Sequence, residues 1–213
     1  MFTKIHILKE KGYTPDTILD IGAYHGHWTD EMKQIYPDST YHLFEAIDYP
    51  ELTRFANVHH LLLSDKIEQV KWYEMKNTGD SMFKEKSYHF NNCEGVVRDT
   101  VDLNTVISQE YMLKDAKHIF IKIDCQGAEI PILKGATFLL EKTDFIVLEV
   151  PLFGQYNEGV PTFLEHVEFM NSIGFVTYDI LEAHYIHNFN MQVDMLFINK
   201  RHPFNRTVNE SIL

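Results

Sequence analysis

Short apolar runs punctuate this chain at regular intervals, each followed by a turn and a segment of helical periodicity. Residues 2–11 read as a short amphipathic helix with Ile5 and Leu8 on one side, ended by Gly12 and Pro15. The run 17–21 predicts a strand, 27–36 its helix, stopped at Pro37, and 40–45 a second strand. The run 58–63 predicts a third strand, His118 to Asp124 a fourth, and Phe145 to Val150 a fifth. A helix follows the fourth toward Leu133, and another spans about 161–172 and closes at Gly174. Strands alternating with helices predict a parallel sheet covered on both faces. The last two strands, 175–181 and 192–199, are joined by too few residues for a helical crossover, so they are expected to be antiparallel.

Residues 66–102 break this rhythm. Two alternating, strand-like stretches, 70–75 and 95–103, flank a polar segment at 76–92 rich in Asn, Lys and Ser. The pattern predicts an inserted hairpin or lid beside the sheet. With 213 residues, the whole chain, 1–213, is read as a single domain. It has an N-terminal helix within 1–14, the insertion at 66–102 and a C-terminal tail at 201–213.

Composition narrows the function classes. A formal charge of −12 disfavours a nucleic-acid partner, which needs a basic surface. Cys93 and Cys125 stand in unlike contexts and support neither a disulfide framework nor a cysteine-rich zinc site. No apolar run reaches membrane-spanning length, and the N-terminus lacks a signal-peptide core, so a cytoplasmic setting is expected.

The densest chemistry lies in Thr17-Ile-Leu-Asp-Ile-Gly-Ala-Tyr-His-Gly26. A buried strand delivers an acid, Asp20, to a glycine-bearing turn that opens a helix, an arrangement suited to a cofactor at a helix N-terminus. The glycines are expected to let the backbone approach the ligand, and to allow a positive φ. Glu45 ends the next strand, at the position that takes ribose hydroxyls in such folds. The dinucleotide pattern Gly-x-Gly-x-x-Gly fails, because Tyr24 and His27 stand where glycines are required. What remains, Asp-x-Gly-x-x-x-Gly, is similar to the first motif of Rossmann-like S-adenosylmethionine-dependent methyltransferases. An acid suits a ligand bearing a sulfonium and an ammonium rather than phosphates. The candidate cofactor-binding residues are Asp20, Gly22, Ala23, Tyr24, Gly26, Thr29, Glu45 and Ala46. Ser64 and Asp65 are expected beside the adenine, and Ser81 in the insertion closing over the cofactor.

A second segment, Lys122-Ile-Asp-Cys-Gln-Gly-Ala-Glu129, is more specific. Together with Asp20-Ile-Gly-Ala and Phe44-Glu45, it resembles the FkbM family of S-adenosylmethionine-dependent O-methyltransferases. Leu63-Ser-Asp65, Val101-Asp-Leu103, Leu148-Glu-Val150 and Val193-Asp-Met-Leu-Phe197 fit in order, so the likeness covers roughly residues 15–200. Tyr24, Ala46 and Gln126 depart from the family pattern, and Gln126 removes a negative charge. The resemblance implies a Rossmann-like class I methyltransferase fold, a mostly parallel seven-stranded sheet whose last strand is antiparallel. It also implies a hydroxyl acceptor on a carbohydrate or small metabolite.

Methyl transfer from a sulfonium is an in-line displacement, so the protein supplies position, a dry site and an acceptor for the proton of an alcohol. Asp124, at the end of the fourth strand, is the expected catalytic or acceptor-orienting acid. Lys122 shares its strand face and is expected to hold it ionised, and Glu149 to contact the acceptor or a cation. No metal ligand is assigned, since the histidines show no trusted spacing, yet strand-end carboxylates leave a divalent cation open. His184 and His187 are expected in the last inter-strand loop. Competing functions are N-methyl transfer on the same scaffold, which lacks the Asn/Asp-Pro-Pro-Tyr/Phe motif of many amino methylators, a nicotinamide-dependent oxidoreductase, and a catalytically silent cofactor-binding protein. The oligomeric state is not legible.

Overall fold

The computed structural model of the protein describes residues 1–110, 113–153 and 155–205. Of the expected tail 201–213, residues 206–213 lie outside the described residues. The order of elements is α1 (Phe2–Glu10), β1 (Thr17–Ile21), α2 (His27–Ile35), β2 (Thr40–Phe44), β3 (Val58–His59), β4 (Gln69–Trp72) and β5 (Val96–Asp99). Then come α3 (Leu103–Glu110), β6 (Ile119–Ile123), α4 (Glu129–Lys134), α5 (Thr137–Leu140), β7 (Thr143–Pro151), α6 (Phe163–Ser172), β8 (Phe175–Ile186) and β9 (Phe189–Asn199).

Seven strands form one sheet in the order β3-β2-β1-β6-β7-β9-β8. The pairs β1–β2, β1–β6, β2–β3 and β6–β7 are parallel. Strand β9 runs antiparallel to both β7 and β8, so a single strand, the last, opposes the rest. This is the sheet expected from the sequence. Every residue of β1 and β6 is buried, as parallel strands covered on both faces must be. One face packs Ile121, Ile146 and Leu148 against α3 to α6; the other packs Phe120, Phe145 and Val147 against α1 and α2. Each such fully buried apolar side chain contributes about 1.5–3 kcal/mol, so the central strands give the site a rigid floor.

Helix α6 begins with a capping box. Thr162 accepts from the Glu165 amide and Glu165 reaches back to the Thr162 amide. Gly174 follows its end with φ of +94°, as the C-terminal signal predicted. The insertion forms a separate antiparallel pair, β4–β5.

Two expectations on element boundaries are corrected, and helix α3 is an addition to the reading. The third strand holds its ladder only over Val58–His59, and Leu63 instead bridges Val101. Helix α3, not read from the sequence, starts where Asp102 accepts from the amide of Thr105. The stretch expected as a loop at 182–190 is mostly strand: β8 continues to Ile186 and turns at His187–Asn188, both of positive φ. His184 therefore stands on a strand. Such a two-residue turn matches the twist of a hairpin.

Candidate functional site

The parallel register sets Asp20 beside Lys122 on neighbouring strands, and both side chains lie on the α1/α2 face. Asp20 is fully buried. Its Oδ2 accepts from the Thr29 hydroxyl at 2.6 Å, and its Oδ1 lies 3.2 Å from the Lys122 ammonium. Lys122 also donates to the carbonyl of Gly22 at 2.7 Å and lies 3.7 Å from Asp124. Burial works against the lysine's charge, but the charges of Asp20 and Asp124 prevail and hold its pKa above the ordinary lysine value. Burial pushes the Asp20 carboxyl up, opposed by Lys122 and by the Thr29 hydrogen bond. Strand β1 thus reaches its turn with a neutralised pair locked to the Gly22 carbonyl.

The turn itself needs its glycines for packing. Gly22 has φ of +75° and a Cβ there would overlap the carbonyl oxygen of Asp124; Gly26, with φ of +78°, abuts the Phe55 ring. The positive φ agrees with the sequence reading. The close approach, expected toward a ligand, is made to the protein's own atoms. Tyr24, also of positive φ, donates its amide to Glu45 Oε2 at 2.8 Å, and the Ile47 amide donates to Oε1 at 3.0 Å. Each carboxylate oxygen of Glu45 is fixed by one backbone donor and keeps a further lone pair. Burial pushes this carboxyl up, and the amides of Ile47 and Tyr24 offset part of that.

Across the sheet, Glu129 closes the turn after β6 by accepting from the amides of Cys125 at 2.9 Å and Gly127 at 3.3 Å. Gln126, held at positive φ, aims its amide nitrogen at Glu149 Oε2, 2.6 Å away, and at Asp124 Oδ1, 3.3 Å away. Gln192 donates to the same Glu149 oxygen at 2.9 Å. A glutamate in place of Gln126 would bring a third carboxylate into this group; the amide supplies donors instead. Burial, then the charges of Asp124, Glu129 and Asp194, push the Glu149 carboxyl well up.

Two cavities meet at these strand ends. The first, of about 400 Å³, is walled by Gly22, Glu45, Ala46, Leu61 to Leu63, Asp124 and residues of the insertion. No Lys or Arg is among the described residues that line it, whereas Glu45, Asp80, Glu85, Asp124 and Glu149 all do. The second, of about 340 Å³, opens toward α1 and α2 and is lined by Phe2, Ala23, Trp28, Lys122 and Asp194 among others. Gly22, Tyr24, Thr78, Asp124, Glu149 and His184 belong to both walls.

Of the sequence candidates, Gly22, Ala23, Tyr24, Glu45, Ala46, Lys122, Asp124 and Glu149 are brought together in these walls. Asp20, Gly26, Thr29, Ser64, Asp65 and Ser81 are not among the lining residues. Asp20 and Thr29 act from behind the turn. Ser64 is buried and Asp65 is exposed; Leu61, Leu62 and Leu63 line the wall where that pair was expected. Ser81 is a tether. Its hydroxyl donates toward the carbonyls of Cys125 at 3.3 Å and Gln126 at 3.0 Å, binding the insertion to the β6 turn. Arg98 holds the other side of the insertion by donating to the Ala46 carbonyl at 2.7 Å.

Sequence reasoning missed Asp80, Gln192 and Asp194, and placed His184 in a loop. Asp80 accepts from the Met75 amide at 2.7 Å and faces the first cavity; the Gly79-Asp-Ser81 cluster was the signal for it. Glu149, His184 and Asp194 come from three adjacent strands, β7, β8 and β9, with one polar atom from each within 4.8 Å of the others. The Cys125 thiol borders the first cavity, with burial and then Glu129 raising its pKa far above a reactive range.

The model of the methyltransferase FkbM domain matches residues 20–177. No curated protein sequence matches the chain. Among solved structures, the chain is similar to an FkbM methyltransferase from Methylobacillus flagellatus KT, at 14% identity and a TM-score of 0.50, over 86% of this chain and 43% of that one. It is similar at 11% identity and a TM-score of 0.50 to the 1,6-didemethyltoxoflavin-N1-methyltransferase of Burkholderia thailandensis with bound S-adenosylhomocysteine, over 93% of this chain and 76% of that one. The magnesium protoporphyrin IX methyltransferase of Synechocystis PCC 6803 also gives a TM-score of 0.50, at 5% identity, covering 93% and 77%. At these identities the structures establish a shared Rossmann-like methyltransferase fold. With its domain match spanning most of its length, the chain belongs to the FkbM methyltransferase family and is an S-adenosylmethionine-dependent methyltransferase.

Proposed function

We propose that this enzyme transfers a methyl group to a hydroxyl of a carbohydrate or small metabolite, with the cofactor in the first cavity and the acceptor reaching it where the two cavities meet. The observation that carries the cofactor half is the charge of the wall. A cavity bordered, among the described residues, by five carboxyl side chains and no lining Lys or Arg suits a sulfonium and an ammonium and repels a pyrophosphate. Bound, S-adenosylmethionine supplies a methyl carbon on a positively charged sulfur.

In this reading Glu45 accepts both ribose hydroxyls on the lone pairs its two backbone donors leave free. Ala46 and Leu61 to Leu63 give the adenine an apolar slot. Gly22, Ala23 and Tyr24 border the amino acid end. Asp20 and Thr29 serve this pocket indirectly, through Lys122 and the Gly22 carbonyl. Asp124 orients the acceptor hydroxyl, with the Lys122 ammonium 3.7 Å away. Glu149, bridged to Asp124 through Gln126, extends the polar rim. The chain works as one domain, the 66–102 insertion forming part of the cavity wall.

The test is to incubate the enzyme with methyl-labelled S-adenosylmethionine and paired acceptors, monosaccharides and the corresponding amino sugars, and to locate the methyl by mass spectrometry. The reading expects methyl ethers. Methylamines from the amino sugars, with no ether formed, would move the assignment to N-methyl transfer, the activity named for the Burkholderia protein.

A further inference from the structure

His184 and Asp194 form a hydrogen-bonded pair on adjacent antiparallel strands, with Nε2 and Oδ2 2.8 Å apart. Asp194 is buried and sits in register opposite Glu149 on β7 and Glu182 on β8. His184 is half-buried and belongs to the walls of both cavities, as do Asp124 and Glu149. These three are the titratable groups shared by the two walls apart from the phenol of Tyr24.

Their surroundings sort their chemistry. Asp124 has a partner on each oxygen, the Lys122 ammonium 3.7 Å from Oδ2 and the Gln126 amide nitrogen 3.3 Å from Oδ1. Glu149 has one oxygen fixed by two amide donors, from Gln126 and Gln192, and is crowded by Asp124 and Asp194. His184 alone has a partner placed to stabilise the charge it would gain. The claim of Asp194 on Nε2 fixes the imidazole with its proton there and leaves the lone pair on Nδ1.

We infer that His184 is the proton acceptor of the reaction proposed above, with Asp194 as its positioning residue. This rests on the reading of the cavities as cofactor and acceptor sites. As the acceptor oxygen forms its bond to the methyl carbon, the carbon–sulfur bond breaks and its electron pair stays on sulfur. The O–H bond electrons remain on oxygen, and the proton passes to His184 Nδ1. The products are the methyl ether, S-adenosylhomocysteine and an imidazolium paired with Asp194. Acids act on the imidazole from four elements, Asp194 on β9, Glu182 on its own strand, Glu149 on β7 and Asp124 after β6. The wall of the second cavity also carries Lys122, His25, His27 and the N-terminal ammonium, which lies 3.6 Å from Glu182. The Asp194 hydrogen bond, against burial, raises the His184 pKa above the ordinary histidine value. The neutral, accepting form therefore prevails only above that range, and the rate should fall on the acid side.

Two measurements on the full chain saturated with S-adenosylhomocysteine or S-adenosylmethionine decide it. In nitrogen-15 histidine spectra, His184 should show the Nε2–H tautomer, and Asp194→Asn should lower its pKa. An Nδ1–H tautomer, or a pKa indifferent to Asp194→Asn, overturns the proposal. Methyl transfer is then followed with phenol and with 4-nitrophenol, which is already ionised at mildly alkaline pH. His184→Asn should lower the rate with phenol by about 10²-fold or more and with the phenolate by far less. Equal losses would mean a structural role. Loss of transfer on chelation, restored by Mg²⁺, would give His184 to a cation instead. Calorimetry with S-adenosylhomocysteine separates the two levels: a wild-type chain that fails to bind it rejects the cofactor cavity, whereas a His184→Asn chain that binds normally and fails only with phenol supports the base.

Discussion

The Lys122 ammonium lies 3.2 Å from Asp20 Oδ1, on adjacent parallel strands, and the same nitrogen donates to the carbonyl of Gly22. Two charges that would each be costly when buried alone are joined, and the surplus donor fixes the cofactor turn. Removing one partner leaves an uncompensated buried charge, a loss of about 3–5 kcal/mol. Lys122→Met should lower unfolding stability in urea by that amount, and Asp20→Asn in the same chain should restore much of it. Independent, additive losses would show that the pair is not coupled.

Glu45 touches its cavity with a carboxylate already held by two amides. Glu45→Gln keeps the shape and removes the charge, so S-adenosylhomocysteine affinity should fall about 10- to 100-fold, as befits charged hydrogen bonds. Because the Gln amide nitrogen cannot accept from one of those two backbone donors, unfolding stability without ligand should also fall, by about 1–3 kcal/mol. An unchanged Kd would take Glu45 out of the ribose site.

Ser81 joins the insertion to the turn after β6 through its hydroxyl. Ser81→Ala should cost about 1 kcal/mol and raise hydrogen exchange between residues 73 and 95, while β1 and β6 stay protected. Uniform exchange changes across the sheet would mean that the insertion is not separately anchored.

His42 has its pKa pushed down to about 4, by burial and then by the neighbouring His59. The unfolded chain binds this proton near 6.5, so between these values the unfolded state carries more protons and stability rises with pH. The contribution is complete above about 6.5 and is lost as pH falls toward 4. Urea midpoints recorded across that window should climb with pH in the wild type, with a shallower slope in His42→Gln. Parallel slopes would assign the acid sensitivity elsewhere.

Much of this architecture is written in local pattern. Apolar runs at 17–21 and 118–124 are strands because they are buried on both faces, and Gly26 and Gly174 stand where left-handed backbone is needed. Long-range register is not written locally. Nothing in the neighbourhood of Asp20 announces Lys122 across the sheet, so the acid read as beneath the turn and serving the cofactor's cationic end proves to be paired with that lysine. The polar stretch 182–190 read as a loop for a similar reason. An edge strand alternates one side toward solvent, and the His187–Asn188 turn is only two residues long, so composition hid a ladder that brings His184 to the site. Gln126, visible as a missing charge, gains its meaning only from the two carboxylates its amide meets.

The central claim is that the acid-walled cavity at the end of β1 accepts a nucleoside sulfonium and its thioether product in preference to a dinucleotide. Isothermal titration of the full chain with S-adenosylhomocysteine, and separately with NAD, tests it most directly. Saturable one-to-one binding of the first and no heat from the second is the predicted result. No binding of S-adenosylhomocysteine at saturating dose, or equal binding of NAD, would contradict it.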